Sequence, residues 1–292
     1  MNMRKIIYML TALALSVATY AQTSDYQRKY DILVKRVGAA GVGVETLIDN
    51  WAKSEPDSPE MLQARFYFYL TKSQGTEVLG RKEPKYLGMK PILTLKDSTD
   101  TNVYYYEVVK YDDNLFAESL KAADKLIAAY PHRLDFRFLK ANAYISYERE
   151  SPDMALSNIM GLAYDYKTSK NKWLYKDVSA AEPTKVDDDL FAGMMQEYCY
   201  SFYTLGTPSA YDAFFKLSQR MNEYFPKNVD FVGNIGTYYM VVKNDYKTAL
   251  KYYDKALKLQ PGNEAVLHNA VIASRKMQNA KLEKKYLKLL GK

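Results

Sequence analysis

The chain has 292 residues, 48% hydrophobic and 26% charged, with 41 Lys and Arg against 34 Asp and Glu for a formal charge of +7. That length supports one or two domains with a substantial core, and so mild a basic excess does not point to nucleic acid. A single cysteine, Cys199, excludes an internal disulfide, and the two histidines, His132 and His268, have no His or Cys partner at zinc-ligand spacing.

The first residues read as an export signal. Arg4 and Lys5 precede an apolar run over 6–18, and Thr19-Tyr20-Ala21 places small residues where a signal peptidase cuts, leaving Gln22 as the new N-terminus. The run is shorter than the roughly 20 residues that span a bilayer, so cleavage of 1–21 is expected rather than anchoring. An uncleaved anchor is the alternative. No cysteine follows the run, which disfavours a lipoprotein. No later segment is apolar enough to span a membrane, so the expected product is soluble in the periplasm or outside the cell.

Helical periodicity dominates the remainder. Over 22–73, Tyr26, Tyr30, Leu33 and Val37 recur at helical spacing, a glycine-rich break runs over 38–43, and Val44, Leu47, Ile48 and Trp51 mark a helix that stops before Pro56. Ala64 and Phe68 then hold packing places in a helix over 60–72. Ser58-Pro59, Ser151-Pro152 and Thr207-Pro208 share a start signature: the hydroxyl caps orphan N–H groups, and Pro at the first helical position sacrifices no hydrogen bond.

Two stretches break the helical pattern. Residues 74–112 are too long for a turn and contain Pro84, Pro91 and several glycines. Within them, 91–95 and 103–109 are rich in β-branched and aromatic residues and flank the polar 97–102, which predicts a small β-hairpin near residues 90–110. Helices resume over 113–166, with segments at 116–131, 134–149 and 155–164, the last carrying Leu156 and Ile159 on its apolar side. Residues 167–187 form a linker insertion, and 188–292 is helical again. It ends in a basic amphipathic segment over 281–292 that suits the polar-backed cap of a repeat array. Weak attachment of this segment to an anionic surface is the alternative.

The most regular stretch is 230–261. Val232, Ile235, Gly236 and Tyr239 fall on one helix, and Ala249, Tyr253, Ala256 and Pro261 on or just after the next. Small residues at Gly236, Ala249 and Ala256 let two helices approach, Tyr239 and Tyr253 fill the space between neighbours, and Pro261 ends the second helix. Pro226 and Pro261 lie 35 residues apart, and 130–136 echoes 225–231, so that Ala141 and Tyr144 fall where Gly236 and Tyr239 do. This pattern resembles the tetratricopeptide repeat, whose period is about 34 residues, and the chain is similar to exported bacterial proteins of that type. The turn at Lys243-Asn244-Asp245-Tyr246 is one residue longer than the family's usual form.

The resemblance implies an all-α, solenoid-like array of helical hairpins interrupted by the β-hairpin insertion, and a non-catalytic scaffold. In such proteins first helices line a groove that holds a peptide or extended segment of a partner. Carried over position by position, the groove falls on Thr237, Met240 and Val241, and by the internal echo on Asn142, Ile145 and Ser146.

The residues themselves offer little chemistry, and neither cofactor nor metal is expected. Residues 75–82 resemble a phosphate loop but carry Arg81 and Lys82 where Lys and Ser or Thr are required. The acidic runs at 112–114 and 187–189 read as helix caps, and Cys199 as a small buried hydrophobe. A competing reading is glycan binding, with Tyr104, Tyr105, Tyr106 and Trp173 stacking on sugar rings.

Overall fold

A computed structural model describes residues 24–169, 172–177, 180 and 182–291; the expected leader over 1–21 lies outside them. The fold is mainly α, built of helical hairpins with a small β-sheet insertion. Two compact units are interleaved along the chain. One takes the described residues up to Arg81, then Ile92–Tyr147 and those of Lys170–Val186. The other takes Lys82–Pro91, Glu148–Ser169 and those from Asp187 onward. The stretches 74–112 and 113–166 are thus each divided between the units.

The first unit opens with α1 (Asp25–Val37), α2 (Val44–Ser54) and α3 (Pro59–Lys72). Gly43, at φ 84°, takes the left-handed conformation that ends the break and starts α2. Trp51 is the anchor of this region, buried with Val44, Ile48, Phe68, Leu126 and Phe136, and Tyr26 of α1 stacks on it at 6.4 Å. Ser58 caps α3 by accepting from Met61 N at 3.2 Å, with Pro59 in the first turn.

α3 packs on α4 (Asp113–Ala129) as the two arms of one hairpin. In place of a tight turn, their connection is a three-stranded sheet of β1 (Gln74–Arg81), β2 (Leu93–Lys96) and β3 (Asn102–Tyr111), in the order β1-β3-β2. The hairpin expected near 90–110 is β2 and β3, paired from Leu93↔Tyr105 to Lys96↔Asn102. β1 is an addition to that expectation: the phosphate-loop-like residues as far as Arg81 are part of a strand that pairs with β3 over its whole length. Asp112 N donates to Ser73 O at 2.8 Å and closes the neck of the insertion, while Asp112 caps α4 through Leu115 N. Phe116 of α4 then stacks on Tyr147 of α5 (Leu134–Tyr147) at 4.1 Å.

Within the linker insertion, whose first two residues belong to the helix Asp153–Thr168, the described residues around 173–175 pack on α5. β4 (Leu174–Tyr175) and β5 (Thr184–Lys185) pair as a short ribbon, Leu174 N donates to His132 O at 2.9 Å, and Tyr175 packs against Phe138. Trp173 is buried at 4% exposure, edge-on to His132 and beneath the Arg137 guanidinium.

The second unit holds α6 (Asp153–Thr168), α7 (Asp188–Leu205), α8 (Pro208–Tyr224), α9 (Val229–Val241), α10 (Tyr246–Leu259), α11 (Glu264–Lys276) and α12 (Ala280–Leu289). From α7 onward each helix packs on the next, and α6 packs on α8. Asp187 caps α7 and Thr207 caps α8 as the sequence suggests. Ser151 does not cap α6. Its hydroxyl turns to Asp153, and Glu148 Oε2 accepts from Met154 N at 2.8 Å instead, because Pro152 occupies the cap position and offers no acceptor side chain. Arg149 donates to Leu87 O at 2.9 Å, and Tyr86 bonds the Glu150 carboxylate, which fixes 82–91 in this unit.

The repeat signature is realised in the α9–α10 hairpin. Val232, Ala249, Tyr253 and Ala256 are fully buried and Ile235 nearly so. A Cβ on Gly236 would lie 2.7 Å from the Tyr253 ring and 3.2 Å from Ala249 O, so this crossing needs glycine. Tyr239 stacks on Tyr252 at 5.7 Å, and Pro261 stands exposed after the end of α10. The extra turn residue is absorbed by Asn244 at φ 51°, a left-handed position Asn tolerates, while Asp245 N reaches back to Tyr239 O at 3.0 Å.

Candidate functional site

α7, α9 and α11 are the first helices of three successive hairpins in the second unit, and one face of each carries a side-chain amide. Asn234 Nδ2 of α9 donates to Gln196 Oε1 of α7 at 2.7 Å, with a longer return bond of 3.4 Å. Asn269 Nδ2 of α11 donates to Thr237 Oγ1 at 3.3 Å. The amides therefore form a row across the three helices, none of them fully buried. Each amide has two donors and two acceptor lone pairs, so a paired amide in this row retains bonding capacity for a ligand.

One turn further along the same faces lie Tyr200, Val241 and Ile272, spaced four, four and three residues after Gln196, Thr237 and Asn269. All three are exposed, at 45%, 36% and 44%. A polar row that can meet peptide groups thus runs beside an apolar row that can meet side chains.

Beneath this surface the unit is closed. Thr237 Oγ1 also donates to Gly233 O at 3.1 Å and lies 3.2 Å from the Tyr253 hydroxyl. Cys199 is wholly buried behind the Gln196–Asn234 pair, where desolvation pushes its thiol up to about 12; Ser218, 3.5 Å away, opposes the shift only in part. Such a thiol is no nucleophile at neutral pH.

The groove positions carried over from the repeat pattern divide as follows. On α9, Val241 is exposed, Thr237 is half-buried, and Met240 is buried with its sulfur 3.7 Å from the Tyr253 hydroxyl. Asn142, Ile145 and Ser146 are half-buried on the last turns of α5, in the other unit. Gln196, Tyr200, Asn234, Asn269 and Ile272 were not singled out by the sequence pattern. Only the pairing of the helices shows that they share a face.

The aromatic groups considered for sugar stacking are largely unavailable. Tyr106 and Trp173 are buried at 0% and 4% exposure, and Tyr104 and Tyr105 are half-buried. Among the described residues, no helix is long and apolar enough to cross a membrane.

No protein-family model matches the chain, and no curated protein matches it in sequence. Solved structures that resemble it include two crystal structures of MamA. One is 15% identical, with 60% of this chain and 86% of that chain aligned and a TM-score of 0.33; the other is 16% identical, with 60% and 81% aligned and a TM-score of 0.34. A structure of Naa15/Naa10 bound to HypK-THB is 14% identical, aligns 99% of this chain with 44% of that one, and has a TM-score of 0.25. The helical-hairpin architecture itself is established by the packing of this chain's own helices.

Proposed function

We propose that the chain is a non-catalytic scaffold of the bacterial envelope that holds an extended segment of a partner protein on the shared face of α7, α9 and α11. The observation that carries this reading is the amide row of Gln196, Asn234 and Asn269 beside the exposed Tyr200, Val241 and Ile272. An extended peptide presents alternating backbone groups and side chains, and paired polar and apolar rows complement both. Export is supported by Arg4 and Lys5, the apolar run over 6–18 and the small residues before Gln22.

The test is selection of peptides from a displayed random library on the chain from Gln22 onward, followed by anisotropy titration. Ligands should bind the parent and lose at least tenfold on Asn234→Ala combined with Ile272→Lys, with the melting temperature unchanged. If no peptide is selected, or if selected peptides bind the double variant equally well, the reading fails. Cell fractionation of the full-length chain tests export separately, and retention of 1–21 in the cytoplasm would refute it.

A further inference from the structure

The inserted sheet has an open edge. Asp112 N bonds Ser73 O on the β1 side of β3, and Ile92 N bonds Tyr105 O on its β2 side. Because backbone groups alternate sides along a strand, the even-numbered residues of β3 face β1. Their register partners Gly75, Glu77, Leu79 and Arg81 face back toward β3. The N–H and C=O groups of Gln74, Thr76, Val78 and Gly80 therefore point outward from β1, where no described strand pairs with them. Residues 74–78 are exposed, and Val78 is 54% exposed. β1 contains neither Pro nor Lys, and its register with β3 is unbroken by a bulge. It thus lacks a proline or a bulge, two of the devices that keep a strand edge from pairing.

We infer that β1 is a self-pairing edge, joining a second copy of this chain in an antiparallel six-stranded sheet about a two-fold axis at Leu79. Charge and shape both select a second copy in this register. The only charged residues of β1 have opposite signs: Arg81, and Glu77, whose exposed carboxylate lies 3.6 Å from Lys110 Nζ of β3 and keeps room for a second cation. An axis at Leu79 sets each directly opposite the other, twice, at the closely spaced non-hydrogen-bonded positions, whereas an axis at Glu77 sets like charges together. The same axis sets Val78 opposite Gly80 of the other copy. Gly80 has no side chain, and the Tyr105 ring lies over it, 3.3 Å from where a Cβ would stand. The exposed valine then packs on that ring, and Val78 and Gly80 exchange both of their outward hydrogen bonds across the axis. This inference stands apart from the peptide-binding face, which lies in the other unit.

Sedimentation equilibrium of the chain from Gln22 onward, over a concentration series, tests it. The parent should be a dimer in equilibrium with monomer. Val78→Pro removes an N–H that the chain does not use internally, so it should yield monomer with an unchanged circular dichroism spectrum. Glu77→Arg should also abolish the dimer, and adding Arg81→Glu should restore it; this charge swap decides the matter even if the proline variant fails to fold. A parent that stays monomeric throughout, a folded Val78→Pro variant that still dimerises, or a charge swap that fails to restore association overturns the inference.

Discussion

Cys199 lies under the Gln196–Asn234 pair, and its thiol is pushed up to about 12 by loss of solvent. At pH 8 an ordinary thiol near 8.5 is partly ionised, so the thiolate fraction here is smaller by roughly a thousandfold. We expect a thiol reagent such as Ellman's to label the native chain at least that much more slowly than the urea-unfolded chain, which should release one equivalent. Fast labelling of the native chain would mean that α7 opens readily. Trp173 makes a second check at this scale. It is enclosed by His132, Arg137 and the β4–β5 ribbon, so oligosaccharides should leave its fluorescence unchanged, and quenching by any sugar would revive the glycan reading. Single residues were legible from sequence where a short-range rule governs them. The caps at Ser58, Thr207, Asp112 and Asp187 each lie three residues before the N–H they receive. Glu148, which serves α6 from six residues upstream, follows no such rule and leaves no local trace.

At the scale of the element, the α9–α10 hairpin was readable because close approach demands small residues at fixed places. Gly236→Ala puts a methyl group within 2.7 Å of a fully buried Tyr253 ring. Overpacking costs about 1–3 kcal/mol, and the better helix propensity of Ala returns up to about 1. The variant should therefore be destabilised by roughly 1–2 kcal/mol in urea titration; a stabilised variant would show that the ring moves aside at little cost. Ala256→Arg adds a buried charge to the overpacking and should lose more than that. The elements missed in the sequence had no comparable signature. β1 is glycine-rich and exposed along most of its length, so neither alternation nor an apolar run marks it. β4 and β5 have two residues each, too few to show a period. On α9 the helix rotation leaves Val241 outward and turns Met240 inward, a distinction between adjacent positions that needs the packed neighbours to resolve.

For the molecule as a whole, the chain order conceals which helices stabilise one another. The second unit follows the nearest-neighbour logic of a repeat array from α7 to α12, yet its first helix in space is supplied from before the linker. α6 packs on α8 and lays Tyr166 flat on Phe191 at 3.6 Å, with Ile159, Leu162 and Ala163 also buried. Periodicity gives each of these helices but not this pairing, because the intervening β4–β5 ribbon belongs to the other unit. A fragment cut at 188–292 should fold, since its own hairpins remain, but it exposes the apolar surface that α6 covers. A fragment of 148–292 restores that cover. Each buried Leu or Ile is worth about 1.5–3 kcal/mol, so the longer fragment should exceed the shorter by several kcal/mol in denaturant titration, despite carrying an unanchored 170–186. Equal stability of the two fragments would show that α6 is peripheral, and that the array begins at α7 as the chain order alone suggests.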